Sequence, residues 1–159
     1  MGPQRIMDKM KAILSHIGAW APKAEQVAVA KYLLNAAAVD VFLVYFKREI
    51  EARLDGFYRA FMELKKEGYG VDAIVPQAAI YLTVKLDLKG RKSKNGTVLH
   101  TQQDVTQYIL ENAKLALVPF SAFGAPDDSY WYRLSVGTCH TAEIPQVFSA
   151  LREVLKNLN

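Results

Sequence analysis

An apolar stripe of helical period runs through residues 39–66, and it limits this chain to few architectures. Phe42, Tyr45, Phe46, Ile50, Leu54, Phe57, Phe61 and Leu64 fall mostly at three- and four-residue steps, lining one side of a single long α-helix. So broad a stripe needs a second layer to cover it. Beyond Gly68 and Gly70 the period changes: Ile80, Leu82, Val84 and Leu86 alternate with Tyr81, Thr83, Lys85 and Asp87, the pattern of a strand with one buried face. Helices packed on a half-buried sheet make a two-layer α/β sandwich. The aromatic and aliphatic stripe reads as core rather than as a cofactor cage.

The remaining segments fit that plan. Ile6, Met10, Ile13 and Ile17 share a face of a helix from Gln4 to Ile17, closed by Gly18. Pro22 opens a second helix through Gln26, Ala30 and Leu33, with a break over 35–38 before the long helix begins at Val39. Thr101 or Asp104 caps a helix to Asn112, Leu115 to Val118 is a short buried strand, and Tyr130 to Val136 is another. Thr141 caps a last helix with Val147, Leu151, Val154 and Leu158 on one side and Pro145 in its opening turn. The predicted fold is a small sheet of three or four strands, mixed in direction, covered on one face by helices and preceded by the long helix. With 159 residues, 51% of them hydrophobic, one sizeable core is expected.

The strand at 130–136 carries the residue with the most chemical content. Alternation places Tyr132, Leu134 and Val136 on the core face and Trp131, Arg133 and Ser135 on the other. A planar guanidinium held on a rigid strand suits a carboxylate, which it grips through two parallel hydrogen bonds. On the strand pattern alone, an ordinary solvated arginine is the favoured account, and only its surroundings shift the reading.

Other function classes find little support. The net charge of +4 concentrates in Lys89-Gly90-Arg91-Lys92-Ser93-Lys94-Asn95-Gly96, which lacks interleaved aromatics and any helix-turn-helix or zinc pattern around it. It reads as a solvated loop, and no nucleic-acid partner is expected. His16, His100 and His140 lack metal-ligand spacing, so no metal site is expected. Cys139, the single cysteine, excludes an internal disulfide, and its adjacency to His140 is not a nucleophile–base pair. With no signal peptide and no long apolar run, the expectation is a cytoplasmic protein without a membrane partner.

A resemblance sharpens the reading. Leu115-Ala116-Leu117-Val118-Pro119, then Ser121-Ala122-Phe123-Gly124, then Tyr132-Arg133-Leu134-Ser135 and a terminal helix resemble the closing segment of class I/II pyridoxal-phosphate aminotransferases, of the aspartate aminotransferase-like fold type I. Phe120 stands where that family usually has glycine. Gly2-Pro3 with 5–10, Ala21-Pro22-Lys23-Ala24-Glu25-Gln26-Val27-Ala28, and Pro76-Gln77-Ala78-Ala79-Ile80-Tyr81 resemble further family segments in the same order. The resemblance implies that Arg133 binds the substrate α-carboxylate, and that Trp20, Lys23 and Tyr81 lie near the active site. It also implies that the imine lysine, the phosphate-binding arginine and the aspartate facing the pyridine nitrogen belong upstream of this stretch.

The chain is therefore expected to be the carboxy-terminal small domain of a longer aminotransferase, whether an excised piece or a truncated gene product, with 1–37 resembling the link from the large cofactor domain. Pyridoxal phosphate is the implied cofactor of the full-length enzyme. None is expected on this chain alone, which should not transaminate and should contribute no catalytic residue. Implied partners are an amino acid or 2-oxo acid, the large domain and a second copy in a homodimer, with the apolar surface around 39–46 exposed in isolation. Two other outcomes share these residues: a pyridoxal-phosphate lyase or synthase of the same fold, and a non-catalytic interaction module derived from it.

Overall fold

A computed structural model describes residues 2–19 and 21–159. Their order is α1 (Gln4–Ile17), α2 (Lys23–Leu33), α3 (Ala36–Lys66), β1 (Val71–Ala73), β2 (Tyr81–Leu86), α4 (Gln102–Ala113), β3 (Val118–Pro119), a 3-10 turn (Phe120–Phe123), β4 (Trp131–Ser135), a second 3-10 turn (Thr141–Glu143) and α5 (Ile144–Lys156). The chain divides into two compact units, Met1–Tyr45 and Phe46–Asn159.

In the first unit, α1 ends where the sequence places its stop, with Gly18 in the left-handed region at φ 67° and its N–H on the Leu14 carbonyl. Asn35 starts α3 ahead of the expected Val39, because its side-chain oxygen accepts from the Ala38 N–H at 3.2 Å and its carbonyl accepts from Val39 at 3.1 Å. The break is thus confined to Leu34 and Asn35. No described residue of α1 or α2 is buried. Ile6, Met10, Ile13 and Ile17 all stand exposed, as do Val41 and Val44 early in α3.

The second unit holds the core. Its sheet has the order β1-β2-β4-β3, and every neighbouring pair is antiparallel rather than mixed. The α/β class stands; the direction is corrected by topology. β2 and β3 run parallel as the two ends of a crossover through α4, and β4 fills the gap between them, so each neighbour it meets is antiparallel. Leu82, Val84 and Leu86 from β2, Tyr132 and Leu134 from β4, and Val71 and Ala73 from β1 share the buried face. Against them pack Ile50, Leu54, Phe57, Phe61 and Leu64 of α3, Val105 and Ile109 of α4, and Phe148, Leu151 and Leu155 of α5. The α3 stripe is therefore core only from Ile50 onward.

Two local expectations are revised, and one strand appears that was not expected. The strand expected at 115–118 pairs only through Val118 and Pro119, while Leu115 and Leu117 are buried without ladder partners of their own. Strand β1, only three residues long, is too short to show a period. Thr141 lies inside a 3-10 turn instead of capping α5; the Glu143 carboxylate accepts from the His140 N–H at 2.7 Å at the head of that turn. Thr101 does cap α4, reciprocally with Asp104: Asp104 N–H donates to Oγ1 at 3.1 Å and Thr101 N–H to Oδ2 at 2.8 Å. The basic loop is tied down, with Lys92 and Asn159 exchanging backbone hydrogen bonds at 3.0 Å.

One backbone feature gives a stability prediction. Ala79, just before β2, sits at φ 64°, where a Cβ crowds its own carbonyl and glycine does not. Ala79→Gly is expected to stabilise the chain by about 1 kcal/mol, read as a raised urea midpoint with an unchanged slope; a lowered midpoint would contradict it.

Candidate functional site

The open face of the sheet positions the charged groups. Strand β4 is central, so Arg133 stands on a backbone hydrogen-bonded from both sides, opposite Thr83 of β2 and Val118 of β3. Neither neighbour is acidic. Tyr132 and Leu134 on either side of it are buried in the core, which locks the strand's register and fixes which face the guanidinium takes. Burial also pushes the Tyr132 hydroxyl well above the ordinary tyrosine range.

Arg133 is half-buried, and its surroundings are aromatic. Its guanidinium carbon lies 4.3 Å from the centre of the Tyr81 ring and 4.4 Å from that of Phe123. Tyr81 begins β2 and Phe123 ends the 3-10 turn that follows β3, so the rings reach the arginine from the two flanks of β4. Phe120 opens that turn and meets Phe123 edge-on at 6.3 Å between centroids. Among the described residues, no carboxylate pairs with Arg133. The other charges on this face are committed: Asp72 lies 2.7 Å from Lys65, and Lys85 lies 3.6 Å from Asp87. The hydrogen bond from Lys65, with a further one from the Ala73 N–H, holds the Asp72 carboxyl below the usual range.

Gln102, which sequence reasoning did not single out, organises the loop beside the site. It is 4% exposed; its amide nitrogen donates to the carbonyls of Ser129 at 3.0 Å and Trp131 at 3.1 Å, and its oxygen accepts from Ser121 Oγ at 2.7 Å. One side chain at the start of α4 thereby fastens both ends of the 121–131 loop. A glutamine following a helix cap carries no sequence signal for that role.

Of the residues the sequence put forward, Arg133 and Tyr81 come together. Lys23 is exposed at the start of α2 in the first unit, and Trp20 lies outside the described residues. Tyr81 also borders a shallow groove of about 310 Å³ whose lining includes Ile74, Pro76 and Thr83. Among the described residues no cluster of side chains suits a metal ion, and no single helix is long and apolar enough to cross a membrane.

This antiparallel α/β sandwich is an aminotransferase fold. It superposes on the aspartate aminotransferase of Rhizobium meliloti with a TM-score of 0.72 at 25% identity, covering 99% of this chain and 37% of that one. The chain belongs to the family of class I and II aminotransferases, whose family model matches residues 1–151. It is 30% identical to the aspartate aminotransferase of Geobacillus stearothermophilus over 138 residues, 86% of this chain and 31% of the relative. It is 42% identical to a probable aspartate/prephenate aminotransferase of Rickettsia conorii over 64 residues, 40% of this chain and 15% of that protein. The chain thus spans about a third of the length of these two relatives, which it matches over most of its own length.

Pyridoxal phosphate is the cofactor that this family implies for full-length enzymes, supplying an electron sink at the substrate Cα when bound. Its chemistry needs an imine lysine, an acidic partner for the ring nitrogen and an anion site for the phosphate. The described residues of the open sheet face do not fit that set: the strand lysine, Lys85, is engaged by Asp87 and lies 5.6 Å from the Tyr130 ring centre, and Asp72 is held by Lys65.

Proposed function

We propose that this chain is the C-terminal small domain of a pyridoxal-phosphate-dependent amino-acid aminotransferase, in which Arg133 grips the α-carboxylate common to amino-acid and 2-oxo-acid substrates. The observation that carries this reading is a guanidinium on the central strand with no acidic partner among the described residues, while its charged neighbours on the same face are paired. A carboxylate held through two hydrogen bonds cannot rotate freely, so the substrate Cα–H bond is oriented for removal of its proton by a base that lies outside these residues. The donor side chain, acidic, aromatic or aliphatic, is read mostly by residues outside this stretch.

The exposed apolar faces of α1 and of early α3 belong to the same proposal. Ile6, Met10, Ile13, Ile17, Val41 and Val44 form surface that water solvates poorly, and in the full-length, cytoplasmic enzyme the cofactor domain and a second subunit cover it. Alone, the chain binds carboxylates but does not transaminate.

One experiment with two readouts tests this. Pyruvate added to the chain labelled with 15N arginine should move the Arg133 Nε–H resonance saturably in the millimolar range, and Arg133→Ala should remove the response. Pyridoxal phosphate added to the same chain and fixed with borohydride should leave no stoichiometric, site-specific adduct. A flat pyruvate titration overturns the carboxylate role; a single stoichiometric lysine adduct overturns the assignment as a domain without the imine lysine.

A further inference from the structure

We infer that Tyr81 and Phe123 form an aromatic clamp that orients the Arg133 guanidinium for carboxylate binding, and that the Ser121–Gln102 hydrogen bond holds the Phe123 side of this clamp in place. The inference rests on the carboxylate role of Arg133 proposed above and adds how that role is prepared. Tyr81 and Phe123 are positioning residues; they act on the arginine rather than on the substrate.

The argument starts from what an arginine needs before it can grip a planar anion. Its side chain has four torsions, and an arginine extended freely into water must give up that freedom when a carboxylate docks. An acidic neighbour would fix it at a cost, because the same N–H groups that face the neighbour are the ones the substrate needs. An aromatic ring fixes it differently. A guanidinium stacked on a π face is attracted through its own flat face and keeps its in-plane N–H donors available.

The geometry offers two such rings. The guanidinium carbon is 4.3 Å from the Tyr81 ring centre and 4.4 Å from that of Phe123, both well within cation–π range of about 6 Å. Among the described residues, the Arg133 side chain makes no ion pair that would occupy its donors. Tyr81 is set by strand register: Thr83 stands opposite Arg133 and Tyr81 opposite Ser135, so Tyr81 is the diagonal same-face neighbour across the β2–β4 pair.

Phe123 has no strand to hold it, and there the buried amide enters. Phe123 ends a 3-10 turn of four residues, Phe120–Phe123, that contains Ser121 and is closed by Gly124 at φ 87°. Ser121 Oγ donates to Gln102 Oε1 at 2.7 Å, while Gln102 Nε2 donates to the carbonyls of Ser129 and Trp131 at the other end of the loop. The amide thus links the turn carrying Phe123 to the start of the strand carrying Arg133. Both residues lie outside the core, 41% exposed for Tyr81 and 55% for Phe123. Replacing them should therefore leave the fold intact.

The test uses the whole chain, pyruvate as probe and sodium chloride at equal ionic strength as control. In the wild type, ring currents should place the Arg133 Nε–H and Cδ proton resonances upfield of those of the other arginines. Tyr81→Leu and Phe123→Leu should each move them back toward the free-arginine position and weaken pyruvate binding about five-fold, the cost of ordering one long side chain on binding. The β4 amide resonances should stay in place. Tyr81→Phe, which keeps the ring, should restore both signals, and Ser121→Ala should weaken binding in the same direction as Phe123→Leu but less. Leucine variants that bind pyruvate as the wild type does would overturn the clamp and leave the carboxylate role standing. Arg133 resonances without an upfield shift in the wild type would also overturn the clamp alone, and a pyruvate response that survives Arg133→Ala would overturn both.

Discussion

If Arg133 grips the substrate carboxylate as proposed, replacing it with alanine in the full-length enzyme is expected to lower kcat/KM for amino acids and 2-oxo acids together by roughly 150-fold, about 3 kcal/mol for a charge-assisted, two-point contact. The two substrate classes fall together because they share the carboxylate and differ only at Cα. Cofactor absorbance should be unchanged, since the side chain stands on a face whose residues do not make a pyridoxal site. Arg133→Lys keeps the charge but not the planar fork, and belongs between the two. Folding should lose less than binding does. Arg133 is half-buried and lies against two rings rather than pairing with an acid, so alanine forfeits about 1–2 kcal/mol of cation–π attraction. A loss of kcat/KM that tracks a fallen urea midpoint would trace the defect to folding, and undiminished turnover would remove Arg133 from the site.

The reach of the sequence depended on how local each signal was. Gly18 ended α1 because a left-handed cap is a one-residue property, and Thr101 capped α4 because Asp104 stands three residues on. Arg133 was legible because alternation over 130–136 needs no knowledge of the neighbouring strands. Sheet direction was not, since it follows from β4 lying between β2 and β3, a long-range fact. Phe123 lies in a segment that resembles the family, yet nothing in its spacing says that a 3-10 turn carries it over an arginine on another strand. Gln102 was silent for the same reason: its partners, Ser121, Ser129 and Trp131, are distant in sequence. The candidate site was half visible, as one charge, and its aromatic and amide setting required tertiary structure.

Phe61→Ala should produce the largest loss of stability, about 4 kcal/mol, against roughly 5–15 kcal/mol for a domain of this kind. Phe61 is 0% exposed; its ring meets that of Phe148 edge-on, 5.0 Å between centroids at 89°, and Phe148 also meets Phe57 at 5.5 Å and 65°. Truncation removes the ring's transfer free energy, leaves a cavity at the seam of α3 and α5, and strips Phe148 of an edge-to-face partner worth about 1 kcal/mol. The expected readout is a lowered urea midpoint with the slope unchanged, because the surface exposed on unfolding is nearly the same. Phe61→Leu should retain most of the stability, about 1 kcal/mol below the wild type. Ile13 lies on an apolar helical face as regular as that of Phe61, but it is 58% exposed. Ile13→Ala in the same chain should therefore cost no more than about 0.5 kcal/mol. Equal losses at the two positions would mean that the α1 face is covered in solution, while a loss below about 2 kcal/mol at Phe61 would mean that α5 does not close on α3 through Phe148.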